Sequence, residues 1–497
     1  MVRGISSKLI VTKFAMHGYN VHPSVIEILK QEPEGHLDVV VDKACRSAGN
    51  SFIITPEDIS PVLQSIKSKN EEDGASVKVN KDESVKTQPQ QVQQSQKQDI
   101  KVLRDITGHS SCVGNVDDFV MYFNSRYDKI SKIIRQRLPP VEIASIKKLK
   151  SERVKVIGLI TGLRESMNGN IVIELEDKTG RINVIATGNL KEEAQELMGD
   201  EIIGVEGFLR GQNMIAERLI HPEVPMNGNK NINKDFNMLF ISDTHFGSNT
   251  FIQDEWDTFV KWLNCEIGND KSVRLAESIK YIVIAGDIVD GVGIYPGQDK
   301  ELDIVDIYEQ YEEAARQIEK MPDVKIIISP GNHDAVRQAE PQPALPSEIA
   351  DMFPNNVMHV GNPSLLDVEG IKLLIYHGRS IDDIVPKLQR MNYSTPHQCM
   401  TEMLKRRHLA PVYGNRALIA PEKEDHLVID EIPDILHCGH VHTYGTTFYK
   451  GTFLVNSSCW QAQTEFQKKM NLNPIPGNAT VYRPGGEPIR LNFYTGS

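Results

Sequence analysis

Residues 325–334 read KIIISPGNHD: a short β-branched apolar run, broken by Pro330-Gly331 and closed by Asn332, His333 and Asp334. A run of that length, bounded by turn residues, reads as a strand buried on both faces. Four further runs have the same form. MLFIS (238–242) leads to Asp243-Thr244-His245, YIVIA (281–285) to Gly286-Asp287, KLLIY (372–376) to His377-Gly378, and DILHC (434–438) to Gly439-His440-Val441-His442. Helical segments such as TFVKWLNCEIG (258–268) and YEEAARQIEKM (311–321) alternate with apolar runs of this kind, so residues 236–497 read as an α/β domain.

In open α/β sheets, sites form beyond the carboxyl ends of the strands. The polar residues fall at that end in all five runs. A single Asp there is commonly a helix cap and a single His a core residue, but five such endings in one domain point to a common site. Asp243 and His245 are two apart, so in an extended segment both side chains face the same way, and the same holds for His440 and His442. Glycine precedes Asp287, Asn332 and His440 and follows His377, where it lets the backbone turn sharply against a bound group. Carboxylate, imidazole and amide donors together suit Mn²⁺, Fe²⁺ or Zn²⁺ better than a thiolate site would. Asp243, His245, Asp287, Asn332, His377, His440 and His442 are too many ligands for one ion with an open position. They suffice for two ions about 3.5–4 Å apart with Asp287 bridging.

The order D-x-H, G-D, G-N-H-D, H-G, G-H-x-H resembles the calcineurin-like metallophosphoesterase family over residues 236–497. The resemblance implies a β-sandwich with flanking helices. It implies one cation on Asp243, His245, Asp287 and His442 and a second on Asp287, Asn332, His377 and His440. His333 matches the family's non-ligand histidine beside the scissile phosphate, a catalytic group that stabilises the transition state or protonates the leaving oxygen. Asp334 is read either as its orienting partner or as a cap.

The upstream chain divides by composition. Residues 1–66 read as a small helical N-terminal module, with VIEILKQ (25–31) in helical spacing. Residues 67–114 read as a disordered Gln-rich linker: seven of the eleven residues from Gln88 to Gln98 are Gln, and such a stretch cannot bury enough apolar area to offset chain entropy. Residues 115–150 form a helical connector. Residues 151–222 alternate with period two in five runs, and LKEEAQELM (190–198) interrupts them after the third, the layout of an OB-type β-barrel. That barrel holds eight basic and twelve acidic side chains from 151 to 221, and Phe208 is its one aromatic from 153 to 220. This favours a structural or protein-binding barrel over a single-strand-binding one.

The chain of 497 residues has 55 basic and 67 acidic side chains, a formal charge of −12. Bulk electrostatic attraction to nucleic acid is thereby excluded, so any such contact is local, cation-assisted or shared with a partner. Six scattered cysteines without a CxxC pair, no secretory signal and no apolar run long enough to span a membrane together predict a cytoplasmic protein.

An OB-type barrel placed before such a phosphoesterase domain, after a flexible linker and a small module, is similar to the B-subunits of replicative DNA polymerases. The eukaryotic B-subunits have largely lost the metal ligands; this chain has them all. With PGNHDAVRQAEPQP (330–343) and NSSCWQAQTEFQKKMNLNPIPG (456–477), the chain from about residue 115 resembles the small subunits of archaeal family-D DNA polymerases. The N-terminal module and linker match in layout only. The resemblance implies a proofreading 3′→5′ exonuclease acting on single-stranded or mispaired DNA ends, and a large catalytic polymerase subunit as partner. It names Mn²⁺ as activator, where the residues alone leave Mg²⁺, Fe²⁺ and Zn²⁺ open. A sliding clamp is a further candidate partner, though no short motif marks it. Two rival readings are a stand-alone metallophosphatase and a non-catalytic B-subunit scaffold. The intact ligand set speaks against the scaffold, because buried carboxylates and imidazoles without a cation are costly.

Trp460, Phe466 and Tyr444 are placed to stack on an unpaired base, with core or interface packing as the favoured reading. Lys468-Lys469 and Lys405-Arg406-Arg407-His408 read as solvated surface, with phosphate contact as the alternative. His359, His397, His408, His426 and His437 lie outside the ligand pattern and receive no role.

Overall fold

The structure, a computed structural model, describes residues 99–148, 153–226 and 234–495, and in the N-terminal part 7–16, 20–21, 23–30, 37–47, 53–54 and some positions from 56 to 63. The chain forms two compact units, Met1–Ser95 and Gln96–Ser497. The first carries helices Ser7–Met16, Pro23–Lys30 and Leu37–Ser47, and a parallel pair of short strands, β1 (Asn20–Val21) and β2 (Ile53–Ile54). Ile10, Phe14, Leu29 and Val40 build its core. Among the described residues no helix is long and apolar enough to cross a membrane.

The second unit begins with β3 (Ile100–Arg104), which lies inside the span 67–114 read from sequence as linker. Residues 67–98 fall outside the described residues; 99–114 are ordered. The cause is a partner far along the chain, since β3 pairs antiparallel with residues 365–368. Its five residues, IKVLR, carry no local pattern that announces this.

Helix Val116–Arg135 follows, capped by Asn115, which exchanges hydrogen bonds with Asp118. It runs into a closed barrel of β4 (Arg153–Glu165), β5 (Ile171–Glu176), β6 (Arg181–Ala186), β7 (Ile202–Arg210) and β8 (Asn213–Ile220), in the order β4-β5-β6-β8-β7. Helix Leu190–Gln195 sits between the third and fourth strands, and β6 closes against β8 in parallel, the OB arrangement. Alternate residues such as Ile182, Val184 and Ala186 face the barrel core. The turn into β6 is set by Asp177, whose Oδ1 accepts from Thr179 N–H at 2.7 Å and Gly180 N–H at 2.9 Å.

Two six-stranded sheets make the rest. One contains β9 (Asn237–Ile241), β10 (Ile279–Ala285), β11 (Lys325–Ser329) and β12 (Val357–His359), all parallel, and ends in the antiparallel pair β18 (Asn478–Tyr482) and β19 (Ile489–Asn492) beside β9. The other orders β16 (Tyr444–Tyr449), β17 (Thr452–Ser457), β15 (Ile435–Cys438), β14 (Ile371–Ile375), β13 (Ser364–Val368) and β3. The sheets pack face to face through Phe240, Val283, Ile327, Leu373, Ile375 and Phe453. Helices cover both outer faces, Gln253–Leu263 and Ile307–Glu319 on the first and Ile381–Lys387 and Pro396–Arg406 on the second. All five quoted apolar runs are strands. They occupy the parallel centre of each sheet, so both sheets deliver their polar endings to one rim.

Barrel, helix and sandwich share cores. Ile130 and Ile134 of helix Val116–Arg135 pack with Leu138, with Ile157 and Ile202 of the barrel and with Val428. On the same helix Arg126 is fully buried. Its guanidinium donates to Asp425 Oδ2 at 2.8 Å, Pro411 O at 2.8 Å, Asp200 O at 3.2 Å and Tyr122 OH at 2.7 Å. Asp425 also takes the His408 ring at 2.9 Å and Leu427 N–H at 2.9 Å. Arg406, Arg407 and His408 of the basic run are buried, so that run is not a solvated surface.

Candidate metal centre

The strand ends do not continue straight into the site. Asp243, His245, Asp287, His440 and His442 all have left-handed backbones, with φ of 53°, 49°, 51°, 71° and 54°. Non-glycine residues adopt this conformation rarely and at a cost, and such residues gather at functional sites. The expectation of an extended pleat at Asp243/His245 and at His440/His442 is therefore corrected. The paired side chains converge because both backbones are turned, not because a strand projects them. Backbone bonds stitch the loops: Asp243 N–H donates to Gly286 O at 2.9 Å and His245 N–H to Asp287 O at 3.1 Å. His440 N–H lies 3.0 Å from both oxygens of Asp243. Glycine is required where these loops touch: a Cβ on Gly331 would strike Asp287 and His377, and one on Gly439 would strike Asp243.

The side chains form two adjoining loci. Asp243, His245 and His442 offer donor atoms within 4.8 Å of one another, and so do Asp287, His377 and His440. His442 Nε2 lies 3.4 Å from Asp243 Oδ1 and 3.0 Å from His245 Nε2. In the second locus His377 Nε2 lies 3.1 Å from Asp287 Oδ2. Asp287 Oδ2 also lies 3.9 Å from His245 Nε2, which places this carboxylate between the loci.

Hydrogen bonds on the outer nitrogens decide which nitrogen of His377, His245 and His440 faces inward. The Ala285 carbonyl can only accept, so His377 donates to it from Nδ1 at 2.9 Å and turns Nε2 inward. His245 Nδ1 lies 3.0 Å from Asp290 Oδ1 and His440 Nε2 lies 3.1 Å from Asp382 Oδ2. Those contacts leave Nε2 of His245 and Nδ1 of His440 for a cation. Asn332 Oδ1 is buried without a hydrogen-bond partner among the described residues. That open amide oxygen, with carboxylate and imidazole donors crowded beside it, fits divalent cations, and Asp243, His245, Asp287, Asn332, His377, His440 and His442 would hold them.

The charges agree. Burial alone would raise Asp287, but His377 and His333 outweigh it and hold the carboxyl well below its ordinary value. Burial would lower His377, but Asp287 and Asp243 hold it up to about 10. Burial pushes His245 down against the pull of Asp290, which favours the neutral ring a cation needs.

His333 stands at the crevice wall. Its Nδ1 donates to the Asp290 carbonyl at 2.6 Å, so Nε2 faces inward, 3.9 Å from Asp287 Oδ2. Its backbone N–H donates to Asp287 Oδ1 at 2.8 Å. Asp334 does not touch the His333 ring, which corrects its reading as an orienting partner. It is buried and accepts from Gly331 N–H at 2.7 Å, Ile288 N–H at 3.2 Å and Tyr311 OH at 3.0 Å. It thus ties the Asp287 loop to the Asn332 loop. Burial, then the neighbouring Asp287 charge, raise it to about 6.

Sequence reading missed Asp290. It holds the His245 ring, and Gln298 and Gln461 donate to it at 3.0 and 2.8 Å. Its signal was a second carboxylate three residues after Asp287, in GDIVD. Asp382, the partner of His440, had no comparable signal.

Two regions of the chain match known families. That of the B-subunits of DNA polymerases alpha and epsilon matches residues 238–447, and the OB-fold nucleic acid binding domain family matches 154–219. The DNA polymerase II small subunit of Archaeoglobus fulgidus is 51% identical over 499 residues, 99% of each chain. The chain belongs to the family of archaeal DNA polymerase II small subunits. The small subunit of Methanothermobacter thermautotrophicus is 44% identical over 78% of this chain and 82% of its own. That of Pyrococcus furiosus is 38% identical over 74% of this chain and 62% of its own.

Proposed function

We propose that this small subunit is a 3′→5′ exonuclease that hydrolyses single-stranded or mispaired DNA ends as the proofreading partner of a large catalytic polymerase subunit. The observation that carries this is the pair of adjoining carboxylate–imidazole loci that His333 overlooks. We place the metallophosphoesterase fold of the resemblance on the two-sheet sandwich, and Mn²⁺ is the cation proposed for both loci. Two bound cations would supply charge neutralisation on the phosphoryl oxygens and a nucleophile at neutral pH.

The chain's own residues do the rest. Asp243, Asp287 and the four ligand imidazoles bind, and the loop stitching fixes their spacing. Asp290 and Asp382 hold the protons of His245 and His440 on the outer nitrogens. His333 donates from Nδ1 to Asp290 O, which turns Nε2 inward, where a second proton on the ring would meet charge on the phosphoryl group or pass to the departing 3′ oxygen. The released product would be a nucleoside monophosphate.

The test is shortening of 3′-labelled and 5′-labelled oligonucleotides by the purified chain with Mn²⁺, alone and with its large subunit, in parallel with Asp287→Ala. Stepwise loss from the 3′ end, absent in the variant, is expected. Hydrolysis of p-nitrophenyl phosphate with oligonucleotides left whole would establish a phosphatase instead. No turnover of either substrate, with no cation retained, would leave a scaffold.

A further inference from the structure

The three aromatics near the last ligands part company in three dimensions. Trp460 is fully buried against Trp256 and Phe259, a core residue. Tyr444 lies beneath the guanidinium of Arg490, 4.2 Å from its ring centre. Phe466 lines the metal crevice and is 40% exposed. It stacks on Tyr295, with ring centres 5.1 Å apart and planes 29° from parallel, and Tyr295 in turn lies 6.4 Å from the His333 ring. An aromatic face is thus held open to solvent at the mouth of a crevice whose floor is charged.

Both rings are anchored to the ligand set. Phe466 sits on helix Glu465–Lys469, whose first turn is fixed by the Thr464–Gln467 capping box. The same Gln467 amide lies 2.9 Å from His442 Nδ1. On the other side, Ile294 N–H donates to Gln298 at 2.8 Å, and the Gln298 amide donates to Asp290 O at 2.7 Å. Tyr295 OH donates to Glu301 at 3.2 Å. The residues that orient His442 and His245 therefore also fix where this aromatic pair stands. On the same helix Lys468 pairs with Glu465 at 2.6 Å.

We infer that Phe466, backed by Tyr295, is a stacking platform for the unpaired nucleobase next to the scissile phosphate. This rests on the phosphodiesterase reading and adds what that reading leaves open, a contact to the base. Every base has a π-face, so the platform accepts any sequence. A base inside a duplex has its faces covered by its neighbours, so only a frayed, mispaired or single-stranded end can use the ring. The crevice thereby prefers nucleic-acid ends to phosphopeptides and simple monoesters.

The test uses the full chain and an oligonucleotide ending in 2-aminopurine, whose fluorescence is quenched by stacking, without added cation. Quenching is expected with the wild type and with Phe466→Trp, and bright emission with Phe466→Ala. With Mn²⁺, Phe466→Ala should lower kcat/KM on an ordinary 3′ end roughly 5- to 100-fold, the range of one lost base–aromatic stack. It should leave an oligonucleotide with an abasic 3′ terminus unaffected. Equal loss on both substrates, or emission unchanged by the substitution, overturns the platform. Quenching without cleavage by the wild type would sink the nuclease reading and keep the platform; cleavage without quenching would do the reverse.

Discussion

Two groups of buried charge in the second unit follow opposite rules. At the junction of barrel, helix and sandwich, Arg126 donates to four acceptors and Asp425 joins it to His408 and a backbone N–H. In the crevice, Asn332 Oδ1 lacks a partner among the described residues, His377 Nε2 meets the Asp287 carboxylate at 3.1 Å, and the Nε2 atoms of His245 and His442 face each other at 3.0 Å. A buried polar atom left unmatched costs about 1–3 kcal/mol. Atoms without a hydrogen bond occur elsewhere too, at Trp256 Nε1 and where Arg406 Nε, Glu201 Oε2 and His221 Nδ1 meet beside the barrel. The crevice differs because its carboxylates and imidazoles converge, with Asp243, His245, Asp287, His440 and His442 all on backbones held in the left-handed region. Partners satisfied all round suit a group that serves the fold; carboxylates and imidazoles crowded on turned backbones suit one that takes a ligand.

The comparison breaks most visibly at Asp287. Asp287→Ala is expected to lower oligonucleotide hydrolysis about a thousandfold or more, the scale of several kcal/mol of lost charge stabilisation. Cation content by elemental analysis should fall with it; a fully loaded, active variant would remove Asp287 from between the loci. His333→Ala should keep its cations and lose about 10²–10⁴ in kcat, as a proton-handling group does. If its turnover matched the wild type, His333 would be a bystander. At the matched group the loss moves from turnover to stability. Asp425→Ala leaves Arg126 buried and unpaired and should cost about 3–5 kcal/mol in thermal or denaturant unfolding. Activity per folded molecule should be unchanged; a variant as stable as the parent would show that the junction is not held by this charge.

The smallest effect is on pH. Burial lowers His408 from 6.5 to about 4, against the pull of Asp425. The unfolded chain binds this proton more readily than the folded one in that window, so stability rises with pH from about 4 to 6.5 and is lost as pH falls through it. His408→Gln should flatten the stability profile there by roughly 1–3 kcal/mol relative to the wild type, both measured with chelator present. Superimposable profiles would rule this histidine out as a contributor.

Much of the candidate site was legible because each of its side chains closes an apolar run, and strand ends in parallel sheets share a rim. The barrel was legible from its period-two alternation and the interrupting helix. What sequence hid has physical causes. Left-handed backbones at Asp243 and His442 are fixed by contacts between loops, not by their own residues. Asp334 looked like a companion of His333 by adjacency, but its carboxylate turns away to bond Gly331 and Ile288. His408 gave no hint that Asp425 and Arg126 would enclose it, and Phe466 differs from Trp460 only in which side of a loop it leaves by.

The strand Ile100–Arg104 carries a practical consequence. It borders the sandwich yet precedes the barrel in the chain, so the barrel is an excursion that departs from one sheet and returns to the other. A fragment trimmed to start at residue 151 would strip Ser364–Val368 of its neighbour and leave its backbone N–H and C=O groups bare. An uncovered margin of that kind invites pairing with another copy, so such a truncation is expected to self-associate where the longer chain does not.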